Sequence, residues 1–175
     1  PETDLYKKSD VLFGLFQAKN SIKKADKVYM TEGYTDVITL SQSGIENVVA
    51  SSGTALTPGQ IKLLKRFTDN VTVVYDGDAA GMKASIRGID LLLQDGLNVR
   101  VVSLPEGQDP DSFCQQMGGE AFQRFLDENE HTFIHFKAKL LIDESKHDPL
   151  KKSDAIREIL KSVSLISDGL KRSAL

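Results

Sequence analysis

Residues 70–78 read NVTVVYDGD, and this stretch decides the fold. Val71–Tyr75 is a short apolar run rich in β-branched residues, which is typical of a strand buried on both faces. Two carboxylates, Asp76 and Asp78, follow this strand at once. A buried strand that ends in an acidic turn indicates a parallel sheet with polar chemistry at the carboxyl ends of its strands.

The same pattern extends along the chain on both sides of this stretch. Further strands are predicted at 28–30, 47–51 and 99–104, and helices at 35–43, 57–67 and 78–94. Gly44 follows the first of these helices as a C-terminal cap, and Thr57 with Gln60 forms a capping box at the start of the second. Because strands alternate with helices through short links, the sequence predicts an α/β fold. Its sheet is open and mainly parallel, with helices on both faces.

Three regions are expected along the chain. Residues 1–27 are interpreted as a lead-in segment from an upstream subdomain, with a helical apolar stretch at 11–16. Residues 28–118 form the α/β domain, and residues 119–175 form a small all-helical subdomain at the C-terminal end. Helices are predicted at 112–117, 120–129, 132–143 and 150–162. Four phenylalanines at helical spacing are assigned to the core: Phe122, Phe125, Phe133 and Phe136.

The composition excludes several classes of protein. The chain has 175 residues, a formal net charge of −3 and a single cysteine, Cys114. A strongly basic protein that wraps nucleic acid is excluded, and so are an internal disulfide and a zinc finger. No apolar run approaches the roughly 20 residues that span a bilayer. We therefore expect a protein of a reducing compartment with no membrane partner and, because it begins with Pro1, one that was excised or processed from a longer chain.

Five acidic residues follow three of the four predicted strands. They are Glu32 after the first strand, Asp76 and Asp78 after the third, and Asp109 and Asp111 after the fourth. Two carboxylates about 4 Å apart repel by roughly 4 kcal/mol at an effective dielectric constant near 20, and a divalent cation removes that conflict. Ligands that are all oxygen select hard ions such as Mg²⁺ or Mn²⁺. This pattern favours phosphoryl transfer, in which metal ions screen the phosphate charge.

Other residues at this edge are open to more than one interpretation. Instead of binding a ligand, Asp78 and Asp111 can simply cap the helices that follow them. Asp36 can likewise lie in the first turn of its helix and interact favourably with the helix dipole. Three glycines (Gly33, Gly77 and Gly81) lie where a side chain would obstruct a ligand or a tight turn. The run Ser51–Thr54 supplies hydroxyl groups and backbone donors for a phosphate or a sugar.

Three motifs carry a family resemblance. They are TEGYTDVI at 31–38, YDGDAAG at 75–81 and LPEGQDPDSF at 104–113. Together they resemble the Toprim motifs of bacterial DnaG-type DNA primases. The runs ASSGTALT at 50–57 and PETDLYKK at 1–8 also fit, and the similarity extends from residue 1 to about residue 125.

The resemblance implies a role for each acidic residue. Primases join ribonucleotides into short RNA primers on single-stranded DNA, through metal-dependent attack of a 3′-hydroxyl on an α-phosphate. By motif position, Asp76, Asp78, Asp109 and Asp111 would hold Mg²⁺ or Mn²⁺. Glu32 would be a further ligand or the proton acceptor, which makes Glu32, Asp76 and Asp78 the catalytic residues. Asp36, Gly33, Gly77 and Gly81 would support them.

The resemblance also implies partners. Lys8, Ser52, Gly53, Thr54 and Arg87 would contact nucleotide or template, with surface solvation an equal alternative for Arg87. The expected ligands are single-stranded DNA, nucleoside triphosphates and the RNA primer. Zinc would belong only to a missing upstream domain, and the replicative helicase would bind through a missing C-terminal domain. We expect a monomeric, cytoplasmic, nucleoid-associated fragment that by itself makes little or no RNA.

Two other functions stay open at this point. The chain can be part of a Toprim nuclease or topoisomerase, or a non-catalytic interaction module whose acidic residues only solubilise it. His131 and His135 lie four residues apart on a predicted helix, but no glutamate stands between them as in a zincin motif. We assign both histidines to the protein surface.

Overall fold

The computed structural model describes residues 7–51, 56–77, 88–145 and 149–166, together with 168, 169 and 172. A short 3-10 helix, Lys8–Asp10, comes first. The strands are β1 (Val28–Thr31), β2 (Val48–Ala50), β3 (Asn70–Tyr75), β4 (Asn98–Ser103) and β5 (His131–Thr132). The helices are α1 (Leu15–Ala25), α2 (Tyr34–Gln42), α3 (Pro58–Lys65), α4 (described over 88–94), α5 (Pro110–Met117), α6 (Gly119–Glu128), α7 (Phe133–Glu144) and α8 (Pro149–Ser164).

The strands form one sheet in the order β2-β1-β3-β4-β5. The pairs from β2 to β4 are parallel, with Met30 opposite both Val49 and Val73, and Val73 opposite Val101. Only β5 runs antiparallel, beside β4. The predicted open and mainly parallel sheet is therefore confirmed, and the carboxyl ends of β1, β3 and β4 lie at one edge.

Helices cover both faces of this sheet, because successive strand residues point to opposite sides. One core contains Met30, Val73 and Val101 from the strands, together with residues of α1, α3, α4 and α7. The other core contains Tyr29, Val74 and Val102, together with residues of α2, α5 and α6. The phenylalanines assigned to the core are confirmed: Phe122 and Phe133 are fully buried, and Phe125 and Phe136 pack against the two cores.

The helices of the C-terminal region pack on the sheet. Leu126 of α6 joins one core, Phe133 of α7 joins the other, and α8 lies against α7. Leu12, Ala18 and Ile22 of the lead-in region also lie in the first core. The boundaries at residues 27 and 118 stay predictions.

Two local predictions are wrong. The stretch 11–16 is not helical throughout, because the backbone of Phe13 pairs with Ala50 and α1 begins only at Leu15. Gly14, with a φ of 80°, makes the turn between the two conformations. In addition, His131 lies in β5 rather than on a helix, and two residues are too few for a strand to show any periodicity.

Candidate active site

The turn after β1 buries one carboxylate and exposes another. The backbone N–H of Gly33 donates to Asp36 Oδ2 at 3.1 Å, which satisfies a donor at the start of α2. Asp36 is thereby held inside the structure at 7% exposure, whereas Glu32 is exposed to solvent. The first strand end thus supplies one fixed acid and one accessible acid.

The turns after β3 and β4 are held against each other by their backbones. Gly77 N–H donates to the carbonyl oxygen of Gln108 at 2.9 Å, and Leu104 N–H donates to that of Tyr75 at 3.0 Å. A Cβ atom on Gly77 would lie 1.9 Å from the carbonyl oxygen of Pro105, so any side chain at this position would push the two turns apart. Gly77 is required by this close approach.

The fourth strand end places Asp109 and Asp111 differently. Asp109 caps α5, because its Oδ1 accepts from the N–H of Ser112 at 2.7 Å. Asp111 Oδ1 accepts from Thr39 Oγ1 at 2.7 Å and from Gln115 Nε2 at 2.6 Å, so this carboxylate ties α5 to α2. The capping interpretation is therefore wrong for Asp111, because Asp109 occupies the N-cap position and Asp111 lies in the first turn. The metal-binding role of Asp111 stays a prediction.

The carboxylate of Asp36 interacts with acidic residues from the other two strand ends. Burial is the main cause that raises the pKa of Asp36 from 3.8 to about 6, and the negative charges of Asp76 and Asp109 contribute to the same increase. The N–H groups of Gly33 and Asp111 donate to this carboxylate and act in the opposite direction. Because Asp36 follows β1, Asp76 follows β3 and Asp109 follows β4, carboxylates from all three strand ends lie within interaction range of one another.

Comparisons with known proteins fit this geometry. Residues 29–114 match the Toprim-like family model. The DNA primase of Staphylococcus aureus (strain COL) is 37% identical over 170 residues, which cover 97% of this chain and 28% of the relative. A DNA primase domain from Pseudomonas aeruginosa superposes with a TM-score of 0.86 at 33% identity, covering 99% of this chain and 56% of that one.

The chain belongs to the DnaG-type DNA primase family. The Aquifex aeolicus primase structure, with zinc-binding and RNA polymerase domains, is 39% identical and superposes with a TM-score of 0.83. Another relative is a DnaG primase catalytic domain bound to single-stranded DNA, with a TM-score of 0.85 at 32% identity. The resemblance read from the three motifs is confirmed. The chain spans just over a quarter of the length of the curated primases that it matches.

Several predicted site residues of this primase segment lie outside the described residues: Ser52, Gly53, Thr54, Asp78, Gly81 and Arg87. Lys8 is described and half-buried. Its carbonyl oxygen accepts from Gln60 Nε2 at 2.9 Å, and Thr57 Oγ1 donates to the carbonyl oxygen of Ser9. Because these contacts lie at the N-terminus of α3, which follows β2, Lys8 lies on the side of the sheet where the acidic residues lie.

Sequence reasoning missed Gln108, which lies between Pro105 and Asp109 in the third motif. Its Oε1 atom is buried and has no hydrogen-bond partner among the described residues. The penalty for such an orphaned acceptor is about 1–3 kcal/mol unless a donor arrives. No sequence signal distinguishes this glutamine from other polar loop residues, because its burial depends on the contact between Gly77 and the loop.

The described residues fit a hydrated hard cation better than a closed protein cage. In the ranges that the structure describes, no three His, Cys, Asp or Glu side chains are grouped closely enough to hold a metal ion. Mg²⁺ typically keeps several water ligands and binds only one or two carboxylates. Carboxylates whose charges raise the pKa of Asp36, beside a buried acceptor that needs a donor, match such an ion and its bound water.

The described part of the chain contains no helix long and apolar enough to cross a membrane.

Proposed function

We propose that this chain forms the metal-binding half of a primase active site, which joins nucleoside triphosphates into RNA primers on single-stranded DNA. The observation that carries the proposal is the convergence of carboxylates from three strand ends, where the negative charges of Asp76 and Asp109 act on buried Asp36. Like charges that are brought together at one edge favour the binding of a cation, and such arrangements cluster at functional sites.

Each acidic residue has a proposed role. Asp76, Asp78, Asp109 and Asp111 hold Mg²⁺ or Mn²⁺. When bound, such an ion neutralises phosphate charge and orients the attacking oxygen. Glu32, which is exposed, either completes the ligand set or accepts the proton of the primer's 3′-hydroxyl. Catalysis by these residues is mainly positioning and charge stabilisation, as in other phosphoryl transfers.

The supporting residues hold the acids at fixed positions. Asp36 accepts from N–H groups in two separate turns, those of Gly33 and Asp111, and so links the first strand end to the fourth. Gly77 permits the turn after β3 to contact the loop before α5. A rigid frame of this kind keeps reacting groups aligned without reorganisation during the reaction. Gly33 and Gly81 complete the supporting set.

The substrates approach from the same edge. Lys8, Ser52, Gly53, Thr54 and Arg87 are proposed to contact nucleotide or template phosphates. A relative whose catalytic domain was solved with single-stranded DNA supports that ligand. We further propose that other domains of the full-length protein bind zinc and the replicative helicase. The proposal also includes a monomeric state for this chain and a location in the cytoplasm at the nucleoid.

The test measures primer synthesis by the full-length gene product on a single-stranded template. We expect Asp76→Asn and Asp109→Asn each to lower the rate at least about 100-fold, because each removes charge that stabilises the transition state. The matched control is Asp154→Asn, an exposed acid on α8, which should leave the rate unchanged.

Three results would contradict the proposal. One is full primer synthesis by Asp76→Asn. Another is metal-dependent cleavage of DNA with no primer product, which would favour a Toprim nuclease. The third is primer synthesis by the 175-residue chain alone at the rate of the full-length gene product. That result would show that this chain contains the complete active site rather than half of it.

A further inference from the structure

A cleft of about 360 Å³ lies beside β4, outside the acidic cluster. Its lining includes Ser103, Asn129, His131, His135, Phe136 and Lys139. No residue that lines it in the described part of the chain is an aspartate or a glutamate. The cleft therefore offers hydrogen-bond donors and the cation of Lys139 to an anion.

The fold builds this cleft from β5 and the first turns of α7. His131 lies opposite Val101 in the antiparallel pair, and Thr132 then caps α7 by accepting from the N–H of His135. The rings of His131 and His135 stack with centroids 5.7 Å apart. Lys139 follows His135 by four residues, so the two lie one turn apart on the same helix face. The result is a row of three nitrogen-bearing side chains.

This row adjoins the proposed active site. Phe136, in the wall of the cleft, stacks on Tyr75 with ring centroids 6.4 Å apart and an interplanar angle of 22°. Tyr75 is the residue directly before Asp76, and Ser103 lies opposite Tyr75 in the sheet. The cleft thus begins next to the carboxyl ends of β3 and β4, where the acidic residues emerge.

The chemistry of the row suits phosphodiester groups. Lysine is a compact cation that binds phosphate, and an imidazole N–H donates a hydrogen bond in either charge state. His131, His135 and Lys139 are all exposed, so their donors are accessible to a ligand in solution. A strand whose phosphates approach an acidic edge needs cationic contacts nearby, because the acids repel it until metal is bound.

We propose that the row of His131, His135 and Lys139 holds the phosphate backbone of the single-stranded DNA template beside the active site. The inference rests on the proposed function, because that function supplies the ligand. It adds a template contact near β4, whereas Lys8 contacts α3, the helix that follows β2.

The experiment measures binding of a fluorescein-labelled oligothymidylate to the full-length gene product by anisotropy, in EDTA and without nucleotides. The variant is the triple substitution His131→Gln, His135→Gln and Lys139→Gln. We expect its Kd to rise about tenfold at low salt. Each lost phosphate contact should also reduce the slope of log affinity against log salt by about 0.7. Lys139→Arg should retain binding, because arginine also binds phosphate.

The control replaces Lys152 and Lys161, two exposed lysines of α8, by glutamine and should bind like the parent protein. Thermal melting of each variant checks that it folds, and the exposed positions predict an unchanged Tm. In primer synthesis, the triple variant should raise the KM for template and leave kcat unchanged. An unchanged Kd and salt slope would overturn the inference, as would an equal loss in the control.

The two proposals can fail separately. If Asp76→Asn abolishes synthesis while the triple variant binds DNA normally, only the template contact is wrong. If Asp76→Asn stays active but the triple variant loses DNA binding, the contact survives and the assignment of the active site is wrong.

Discussion

Two nearly buried acids, Asp36 and Glu130, lie in opposite electrostatic environments. The side chain of Glu130 is 11% exposed and contacts Lys27 Nζ at 2.8 Å and Arg100 Nη1 at 3.3 Å, and it also accepts from the hydroxyl of Thr72. Asp36 is 7% exposed, and its neighbours are two further carboxylates and two backbone N–H groups. Both acids are largely removed from solvent, and among the described residues only Glu130 contacts a cation.

The pKa values show what this difference means. Burial alone lowers the pKa of Lys27, but its bonds to Glu130 and Tyr29 outweigh burial and hold the pKa above its ordinary value. The Glu130 pair is therefore stable as it stands. For Lys27 a raised pKa means that the charged form is favoured. For Asp36 the pKa is raised to about 6, which means that the charged form is disfavoured. An acid that contacts a cation indicates a structural role, whereas an acid among further carboxylates fits the proposed metal site.

The largest expected effect comes from adding a side chain at Gly77, where the turn after β3 touches the loop before α5. Gly77→Ala should lower the free energy of unfolding by about 3 kcal/mol, because its new Cβ collides with backbone atoms of the neighbouring loop. Urea denaturation measures the change. Gly88→Ala is the matched control, since its Cβ would lie 3.6 Å from Leu56 and it is helical, so alanine should be neutral or stabilising. Equal stability of Gly77→Ala and the parent would show that the two turns do not touch as described.

The next largest effect should come from neutralising Glu130, the acid that contacts Lys27 and Arg100. Glu130→Gln should lower the free energy of unfolding by about 2 kcal/mol, because half-buried Lys27 loses its 2.8 Å contact with a carboxylate and is left with the more exposed Asp127 at 3.7 Å. Arg100 is 54% exposed and contributes little. Asp154→Asn, which breaks an exposed pair with Arg157, should change stability by less than about 0.5 kcal/mol. A neutral Glu130→Gln would remove the contrast with Asp36.

Neutralising Asp36 should have the opposite effect and stabilise the folded chain. Since the pKa of Asp36 is raised from 3.8 to about 6 in the folded chain, its stabilising protonated form is fully present below about pH 4. That stability is lost as the pH rises through 6. Asp36→Asn should therefore stabilise the metal-free chain by about 1 to 2 kcal/mol at pH 7.5, and the advantage should disappear near pH 4. Chemical denaturation in EDTA across this range measures it, and an advantage independent of pH would contradict the assigned cause.

The smallest effect should come from adding a divalent cation that the proposed site would bind. Mn²⁺ at about five times its Kd should raise the free energy of unfolding by roughly 1 kcal/mol, as selective binding to the folded state requires. Asp76→Asn should lose this increase, while Glu130→Gln should keep it. Thermal melting with and without Mn²⁺ measures both. A similar increase in Asp76→Asn would place the cation elsewhere.

Regular elements could be predicted from the sequence because their signals are local. The capping box of α3 is an example: Gln60 N–H donates to Thr57 Oγ1 at 3.2 Å, and Thr57 N–H donates to Gln60 Oε1 at 3.1 Å. The alternation of strands and helices likewise predicted which strand ends share an edge. That edge is where Glu32, Asp76 and Asp109 follow their strands.

Contacts between distant segments could not be predicted. The hydrogen bond from Thr39 to Asp111 joins residues 72 positions apart, and only the packing of α2 against α5 brings them together. Phe13 lies in an apolar run that resembles a helix, yet its backbone pairs with Ala50 because β2 offers free donors and acceptors there. Gln108 is buried by a loop contact that leaves no pattern in the sequence. The assignment of metal ligands among the acids stays a prediction.

The backbone pairing of Phe13 with Ala50 also bears on self-association. Phe13 N–H donates to the Ala50 carbonyl oxygen at 2.9 Å, and Ala50 N–H donates back at 3.1 Å, on the outermost strand. An outer strand with open hydrogen-bonding groups is a template on which another polypeptide can add. On one side, the N-terminal segment of this chain pairs with both backbone groups of Ala50, and on the other side the sheet ends with a strand of two residues. Protection against edge-to-edge aggregation is thus built into the same segment that carries Lys8 towards the acidic edge.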